Sequence, residues 1–331
     1  MNAAANSSAH TAPAAAKWKT LAAFAIIYFV WGSTFLAIRV GVREVPPLIL
    51  AAMRFFAGGL VLYIWMRARG ERSPTPRQWR SAMLLGIVIF LFDYGLLFWS
   101  EMRVPSGIAA VMLATIPAMM ALCETIFLRT QRLTVQLVVG LIVGLGGVGV
   151  LMLPSLKLGG APVDKLGAVA LIFASMSWSI ASVLTRKMPL PESKVMSSGA
   201  QMLCGGVALS VAAVAFGEFH GFQFATVSRE TWFALAYLTV AGSIVGFTAY
   251  VWLLHHESPT KVATYAYVNP IVAVFVGYFF GGEALSARTI VGTVCVLVSV
   301  LVITTLGAKK TAPRETVADA NARIAVAAEE P

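Results

Sequence analysis

Hydrophobic positions along this 331-residue chain are grouped into ten long runs, separated by short polar connectors. A bilayer core about 30 Å thick is crossed by roughly 20 apolar residues in a helix. The pattern therefore predicts an all-α integral membrane protein with ten transmembrane helices. We expect them near residues 20–41, 47–66, 80–99, 105–128, 134–153, 166–186, 195–216, 230–254, 260–280 and 287–306.

The last five runs repeat the first five. Five matched pairs differ by 147 positions: Trp31 and Trp178, Arg39 and Arg186, Arg54 and Gln201, Gly58 and Gly205, and Gly59 and Gly206. Two later pairs differ by 153 positions: Trp99 and Trp252, and Pro117 and Pro270. Because each repeat has an odd number of spans, the second must enter the bilayer from the opposite side. Inverted repeats of this kind are typical of secondary transporters.

The repeat predicts the organisation of the whole chain. Residues 1–16 and 308–331 are polar or Ala-rich and carry no membrane-length run, so both are expected to be disordered tails. Residues 1–16 also lack the basic start and apolar run of a signal peptide. The first five-helix repeat is expected at 17–153, a Pro- and Gly-containing linker at 154–165, and the second repeat at 166–307.

Charge predicts the orientation. With the N-terminus inside the cell, seventeen Lys and Arg residues fall on the cytoplasmic side and six on the outer side. Cytoplasmic loops are enriched in Lys and Arg, and an even number of spans places both termini in the cytoplasm. The basic stretch between Arg67 and Arg80 is therefore interpreted as a topology signal, and no nucleic-acid partner is expected.

Composition supports this class. The chain is 58% hydrophobic and 12% charged, against about 45–50% and about 25% in soluble domains. Cys123, Cys204 and Cys295 lie inside apolar runs without metal-ligand spacing. The GxGxxG match at 144–149 also lies in an apolar run, without the preceding strand that nucleotide binding needs. We therefore expect no enzyme activity, metal or cofactor.

Acidic residues within the spans are candidate functional groups. Asp93 and Glu101 are eight residues apart with Leu97 between them, so both fit broadly one face of the third helix. One interpretation is a proton or cation relay, or a contact for a cationic solute. The alternative is structural, with a pairing to Arg54 or to helix-end backbone. Glu124 on the next helix has the same two interpretations.

Aromatic residues within the spans form a second candidate set. Aromatic side chains often lie at membrane interfaces, which explains residues at span ends such as Trp79 and Trp232. Trp31 and Trp178 instead occupy matching positions inside the first helix of each repeat. Pro117 and Pro270 are expected to kink their helices, and a kinked helix is a plausible cavity wall.

Several motifs together resemble EamA-type proteins of the drug/metabolite transporter superfamily. The resemblance extends from about residue 20 to 306 and is strongest to a branch of inner-membrane exporters. It is carried by Trp31-Gly-Ser-Thr-Phe-Leu-Ala-Ile-Arg39 with Pro46-Pro47, Val104-Pro-Ser-Gly-Ile-Ala-Ala110 with Thr115-Ile-Pro117, the equivalent segment 258–270, and Gly282-Glu-Ala-Leu-Ser286 with Gly292.

The resemblance implies two EamA repeats, a bacterial inner-membrane location and export of small organic metabolites, amino acids or drug-like compounds. It also implies a central substrate-binding cavity walled by Trp31, Tyr94, Trp99, Thr115, Trp178, Tyr250, Tyr267 and Asn269. Asp93 and Glu101 are possible coupling residues, with protons as the coupling ion. One departure is that Gln131 occupies the position equivalent to Glu283.

The expected function is therefore secondary transport of a small organic solute by alternating access. The alternative within transport is a passive facilitator, which would show no pH-dependent accumulation. A non-transporting membrane scaffold and an intramembrane enzyme are the alternatives from other classes.

Overall fold

A computed structural model describes residues 17–123, 164–185, 187–256, 265–287, 289–295 and 297–298, with isolated positions between 126 and 150. The predicted tails 1–16 and 308–331 lie outside the described residues, as do most of the linker 154–165 and Glu124. Within the described residues the regular structure is helical throughout. This agrees with the all-α prediction.

Nine helices cover the described part of eight predicted spans, and the spans at 134–153 and 287–306 lie largely outside it. The helices are α1 Lys17–Gly41, α2 Pro47–Ala68, α3 Pro76–Glu101, α4 Ser106–Leu113, α5 Ile116–Cys123, α6 Lys165–Thr185, α7 Lys194–Ala215, α8 (the consecutive segments Arg229–Tyr237, Leu238–Val245 and Gly246–His256) and α9 Tyr265–Gly281. Six of the described helices are long and apolar enough to cross a membrane.

Local sequence explains where these helices begin. Pro47 is the first residue of α2, where a missing N–H costs little. Thr75 and Gln78 form a capping box at the start of α3, and Ser193 and Ser228 cap α7 and α8 through their hydroxyl oxygens. Each cap satisfies an N–H that the helix itself leaves unpaired.

Two long helices change their winding at equivalent places. The segment Ile87–Tyr94 of α3 and the segment Leu238–Val245 of α8 are both π-helical. When the residue numbers of the first segment are shifted by the repeat offset of 153, the two segments begin and end within two residues of each other. Local π-helical winding turns the side chains that follow, and such segments are frequent at functional sites.

The two expected proline kinks have different outcomes. The fourth predicted span is divided into α4 and α5 by a turn at Ala114–Thr115, shortly before Pro117. Pro270 lies inside α9, which continues as helix around it. Ala114 at this break and Pro270 in the continuous α9 both line the cavity described below.

Helices α2 and α7 pack against each other at the centre of the molecule through glycines. A Cβ atom on Gly59 would lie 2.6 Å from the backbone nitrogen of Leu203, and one on Gly206 would lie 2.7 Å from that of Phe56. Positions 56 and 59 thus face 206 and 203, so the two helices are antiparallel. The repeat offset of 147 pairs position 59 with 206 and position 56 with 203, so each contact is the repeat equivalent of the other. This is expected when a two-fold axis relates the two repeats.

A second pair of contacts follows the same relation. A Cβ atom on Gly58 would lie 3.2 Å from Cβ of Ser243 in α8, and one on Gly205 would lie 2.5 Å from Cβ of Phe90 in α3. The offset of 147 pairs Gly58 with Gly205, and the offset of 153 pairs Phe90 with Ser243, so the two contacts are repeat equivalents. Close helix approach at small residues is the usual way in which membrane helices pack. The internal repeat therefore extends from the sequence to the packing.

Candidate functional site

A central cavity lies between the two repeats. It contains about 720 Å³ of empty space, including its opening. Helices α1 to α5 contribute most of its wall, and α6 and α9 of the second repeat complete it. The lining residues are Trp31, Thr34, Phe35, Ile38, Arg54, Asp93, Tyr94, Leu97, Ala110, Leu113, Ala114, Ile116, Trp178, Tyr265, Asn269 and Pro270.

Trp31 is held in this wall by the π-helical segment of α8. Its indole Nε1 donates a hydrogen bond to the carbonyl oxygen of Gly242 at 3.0 Å. The Trp31 ring also meets the Tyr265 ring edge-on, with centroids 5.2 Å apart. A Cβ atom on Gly246 would lie 3.0 Å from Cδ1 of Trp31, so only glycine leaves room for this ring. The first repeat's tryptophan is thus positioned by the second repeat.

Tyr94 and Trp178 form the opposite aromatic wall. Their ring centroids are 6.1 Å apart in an edge-on arrangement. Tyr94 also packs on Phe55, with centroids 4.6 Å apart. Aromatic pairs at these distances add to the stability gained by burial alone. The cavity therefore has rigid aromatic surfaces on two sides.

Two buried ionisable side chains face the cavity, and they do not pair with each other. Arg54 and Asp93 are each 2% exposed. The structural interpretation offered a pairing with Arg54 or with helix-end backbone, and no Arg54–Asp93 ion pair is formed within 4.0 Å. Nη1 of Arg54 and Oδ1 of Asp93 lack a hydrogen-bond partner among the described residues. The first of the two structural alternatives is therefore not realised.

A polar cluster that we call the Glu283 clamp lies near the ends of α1 and α9 and the start of α4: Arg39, Ser106, Gly107 and Glu283. Oε1 of Glu283 accepts hydrogen bonds from the backbone N–H and the hydroxyl of Ser106, both at 2.7 Å. Oε2 accepts from the N–H of Gly107 at 3.1 Å. The carboxylate thus caps the N-terminus of α4, where a negative charge is favourable.

Arg39 extends the clamp to α1 and α3. Its Nε lies 3.4 Å from Oε1 of Glu283. Its Nη1 donates to the carbonyl oxygens of Glu101 at 3.0 Å and Val104 at 2.6 Å. One guanidinium therefore ties the ends of α1 and α3, the start of α4 and the segment after α9 together.

Glu101 lies beside the clamp without joining it through its side chain. The residue is 1% exposed, and neither carboxyl oxygen has a hydrogen-bond partner among the described residues. Arg39 and Glu283 are the charged groups that act on it. A buried polar group without a hydrogen-bond partner is costly, so Glu101 is a candidate functional residue.

Two carboxylates outside the spans join the repeats in a different way. Glu218 accepts hydrogen bonds from the N–H groups of Leu48 and Ile49, both at 3.0 Å, and so caps α2. Burial raises the pKa of Glu218, and these two hydrogen bonds act against the rise. Oε2 of Glu44 accepts from the N–H of Ser228 at 2.8 Å, and that hydrogen bond lowers the pKa of Glu44.

The predicted site residues fall into three groups. Those that line the cavity are Trp31, Asp93, Tyr94, Trp178 and Asn269. Those that the structure places elsewhere are Trp99, whose ring stacks 4.0 Å from the Arg103 guanidinium; Thr115, which donates to the carbonyl of Met112 at 2.7 Å; Tyr250, which packs behind Trp31 with centroids 5.3 Å apart; and Glu101 at the clamp. The Tyr267 side chain lies outside the described residues.

Arg54 is a cavity residue that the predicted set omitted. Arg54 carried a usable signal, because a charged residue inside a membrane span usually faces the protein interior or a watery cavity. Tyr265, an aromatic residue inside the span one turn before Asn269, also lines the cavity. The side-chain amide of Asn269, in the orientation that satisfies it, donates to the carbonyls of Tyr28 and Tyr265 at 3.1 and 3.2 Å. Asn269 thus joins α1 to α9.

Comparison with known proteins agrees with this architecture. The model of the EamA-like transporter family matches residues 18–153 and 165–305. The inner membrane transporter YedA of Escherichia coli (strain K12) is 36% identical over 283 residues, which are 85% of this chain and 89% of YedA. Protein PecM of Dickeya dadantii (strain 3937) is 26% identical over 276 residues, which are 83% of this chain and 88% of PecM.

A solved crystal structure has the same fold. It aligns with 90% of this chain and 100% of its own length, with a TM-score of 0.60 at 21% sequence identity. The two family matches cover both repeats, and the membrane-length helices lie within them. The chain therefore belongs to the EamA-like transporter family and is a multi-pass inner-membrane transporter of a small solute, not an enzyme.

Proposed function

We propose that this transporter is a secondary exporter that moves a small organic solute by alternating access through the central cavity. The observation that carries the proposal is that both repeats contribute to the cavity wall, with Trp31 and Tyr94 from the first and Trp178 and Asn269 from the second. Rocking one repeat against the other changes such a cavity from one side to the other. The aromatic walls suit a solute with an aromatic or apolar body.

The proposed architecture has ten spans in two inverted repeats, with repeats at 17–153 and 166–307. The excess of basic residues on one side supports a cytoplasmic location for both termini. With that orientation the Glu283 clamp belongs to the outer side of the protein. In the proposed cycle the clamp holds the outer ends of these helices together, and export requires it to open.

Proton coupling is the part of the proposal assigned to Asp93 and Glu101. Arg39 is bound to Glu283 while Glu101 next to it lacks a side-chain partner in the described part of the chain. An ionised Glu101 would compete with Glu283 for Arg39 and weaken the clamp. A proton taken up by Glu101 from outside would restore the clamp, so that one proton enters as the empty transporter closes.

Transport into inside-out vesicles tests the proposal. A thermal-shift screen of amino acids, nucleosides, sugars and cationic drugs first identifies a ligand, since a ligand of the native state raises the melting temperature. In vesicles with an acidic lumen, we expect wild-type protein to accumulate that solute. Accumulation that is absent at every pH, with solute equilibrating in both directions, would instead establish a passive facilitator.

Conservative variants separate coupling from transport. Glu101→Gln is expected to abolish accumulation against a gradient while downhill movement continues, because the side chain can no longer release a proton. Asp93→Asn gives the same result if the coupling proton is carried in the cavity. Ser33→Ala is a matched control, since Ser33 lies outside the cavity lining. Full accumulation by Glu101→Gln would exclude Glu101 as a coupling residue.

A further inference from the structure

We propose that Arg54 is the residue that selects the solute by charge, and that the solute carries a carboxylate group that binds the Arg54 guanidinium. This inference rests on the proposed transport function and concerns the same cavity. It assigns a chemical group of the solute to a side chain of the first repeat.

The guanidinium is only partly satisfied by the protein. Nε of Arg54 donates to Oγ of Ser243 at 3.0 Å, and the Cζ atom lies 5.3 Å from the centroid of the Tyr94 ring. Nη1 has no partner among the described residues. An arginine has five N–H donors and remains charged in proteins. Arg54 therefore holds at least one unused, buried donor and a positive charge in the wall of the cavity.

No acidic side chain in the described part of the chain neutralises this charge within 4.0 Å. Asp93 is the acidic residue of the same lining, and it forms no ion pair with Arg54. A buried arginine without a counter-ion is costly in a membrane protein, and such residues mark substrate pathways. A carboxylate is the group whose geometry matches the fork of a guanidinium.

The equivalent residue of the second repeat shows what a structural role looks like. Gln201 occupies the position equivalent to Arg54, and its Nε2 donates to Oγ of Ser197 at 3.0 Å. Gln201 is neutral and is absent from the cavity lining. A purely structural role at position 54 would need no more than such a neutral, locally bonded side chain. The extra charge of Arg54 faces the cavity instead.

The surroundings also indicate what lies next to the carboxylate. Tyr94 stacks near Arg54 and meets Trp178, and Trp31 and Tyr265 complete the aromatic wall. This arrangement fits an acid with an aromatic or apolar body. Both a simple organic acid and a zwitterion with an additional amino group provide the carboxylate. In the zwitterion the amino group would lie toward Oδ1 of Asp93.

Binding to the full-length purified protein tests the assignment. The probes are 3-phenylpropionate, phenethylamine, phenylalanine and the neutral 3-phenylpropanol, which share an aromatic body and differ in charge. We expect wild-type protein to bind at least one of the two carboxylates more tightly than the neutral probe. Arg54→Gln should weaken carboxylate binding about tenfold to a hundredfold, because a charge-assisted hydrogen bond is lost, and leave the neutral probe unchanged.

Two further variants sharpen the result. Arg54→Lys keeps the charge but loses the planar fork, so carboxylate binding should fall several-fold; this variant carries the test if Arg54→Gln does not fold. Ser243→Ala removes the partner of Nε and keeps the guanidinium, so carboxylate preference should remain. If the solute is a zwitterion, Asp93→Asn should weaken the binding of phenylalanine alone. If the solute is a simple organic acid, Asp93→Asn should leave the binding of both phenylalanine and 3-phenylpropionate unchanged.

Two outcomes would overturn the assignment. One is equal carboxylate affinity in wild type and a folded Arg54→Gln; the other is a wild-type protein that binds phenethylamine or 3-phenylpropanol but neither carboxylate. Both leave the proposed transport function standing, since a solute still binds the cavity. Failure of all four probes overturns the assignment, and the vesicle experiment with the broader panel then decides the transport function separately.

Discussion

The two repeats of this transporter share their packing but differ in their charges. The glycine contacts of α2 and α7 are exchanged by the repeat relation, and both α3 and α8 contain a π-helical segment. The ionisable residues of α2 and α3 have no such copies. Arg54, Asp93 and Glu101 belong to the first repeat, and the equivalent positions hold Gln201, Gly246 and Leu254.

Gly246 shows why this difference is required by structure. Asp93 lines the cavity from α3, whereas any side chain at position 246 would clash with Trp31. The second repeat therefore supplies space at the place where the first repeat supplies a carboxyl group. The duplicated fold provides the shared helix packing. Different residues at a few equivalent positions make the two sides of the cavity chemically different.

The largest effect is expected from breaking the shared packing. Gly59→Ala and Gly206→Ala each place a methyl group against backbone of the partner helix, at 2.6 and 2.7 Å. Overpacking of this kind typically costs about 1–3 kcal/mol. We expect both variants to lower the melting temperature in detergent by similar amounts, because the two sites are equivalent.

Gly146→Ala is the matched control, since no atom of the described residues lies within 4 Å of a Cβ atom at that helical position. Its melting temperature should stay the same or rise slightly. A large effect at only one of Gly59 and Gly206 would show that the two contacts are not energetically equivalent.

A smaller effect is expected from making the two ends of the transporter more alike. Arg39 has a copy in Arg186, but Glu283 corresponds to Gln131, and positions 131 and 186 lie outside the described residues. Gln131→Glu should introduce a carboxylate for Arg186 and favour closure of the cytoplasmic end. We expect the initial transport rate in vesicles to fall a few-fold, measured against Gln131→Leu. A rate equal to or above wild type would contradict the proposed equivalence of the two ends.

The smallest effect is expected at a hydrogen bond between the repeats whose acceptor has no equivalent in the second repeat. Glu44 accepts a hydrogen bond from Ser228, while the position equivalent to Glu44 is Pro191. This hydrogen bond lowers the pKa of Glu44 below its ordinary value of 4.5. The ionised carboxylate thus stabilises the fold above pH 4.5, and that contribution is lost as the pH falls through the lowered pKa.

Glu44→Gln should therefore melt slightly below wild type at pH 7, and the difference should disappear under acidic conditions below the lowered pKa. Thermal unfolding at a series of pH values measures both. A difference that grows on acidification would show that the Glu44–Ser228 bond is not the cause.

Local sequence patterns are sufficient to predict the class, the described spans and the repeat. Apolar run length decides which segments enter the bilayer, and this is a local property of the chain. The prediction that Trp31 and Trp178 occupy matching places also needed only the repeat offset.

Which side chains face the cavity depends instead on how the helices pack together. Trp99 lies in the expected helix and Thr115 in the turn between α4 and α5, but their side chains contact Arg103 and the carbonyl of Met112. The contact of Glu283 with Ser106 joins positions 177 residues apart, and no local pattern encodes that distance. The separation of Arg54 from Asp93 likewise depends on how α2 and α3 pack, because a π-helical segment shifts the direction of every side chain that follows it.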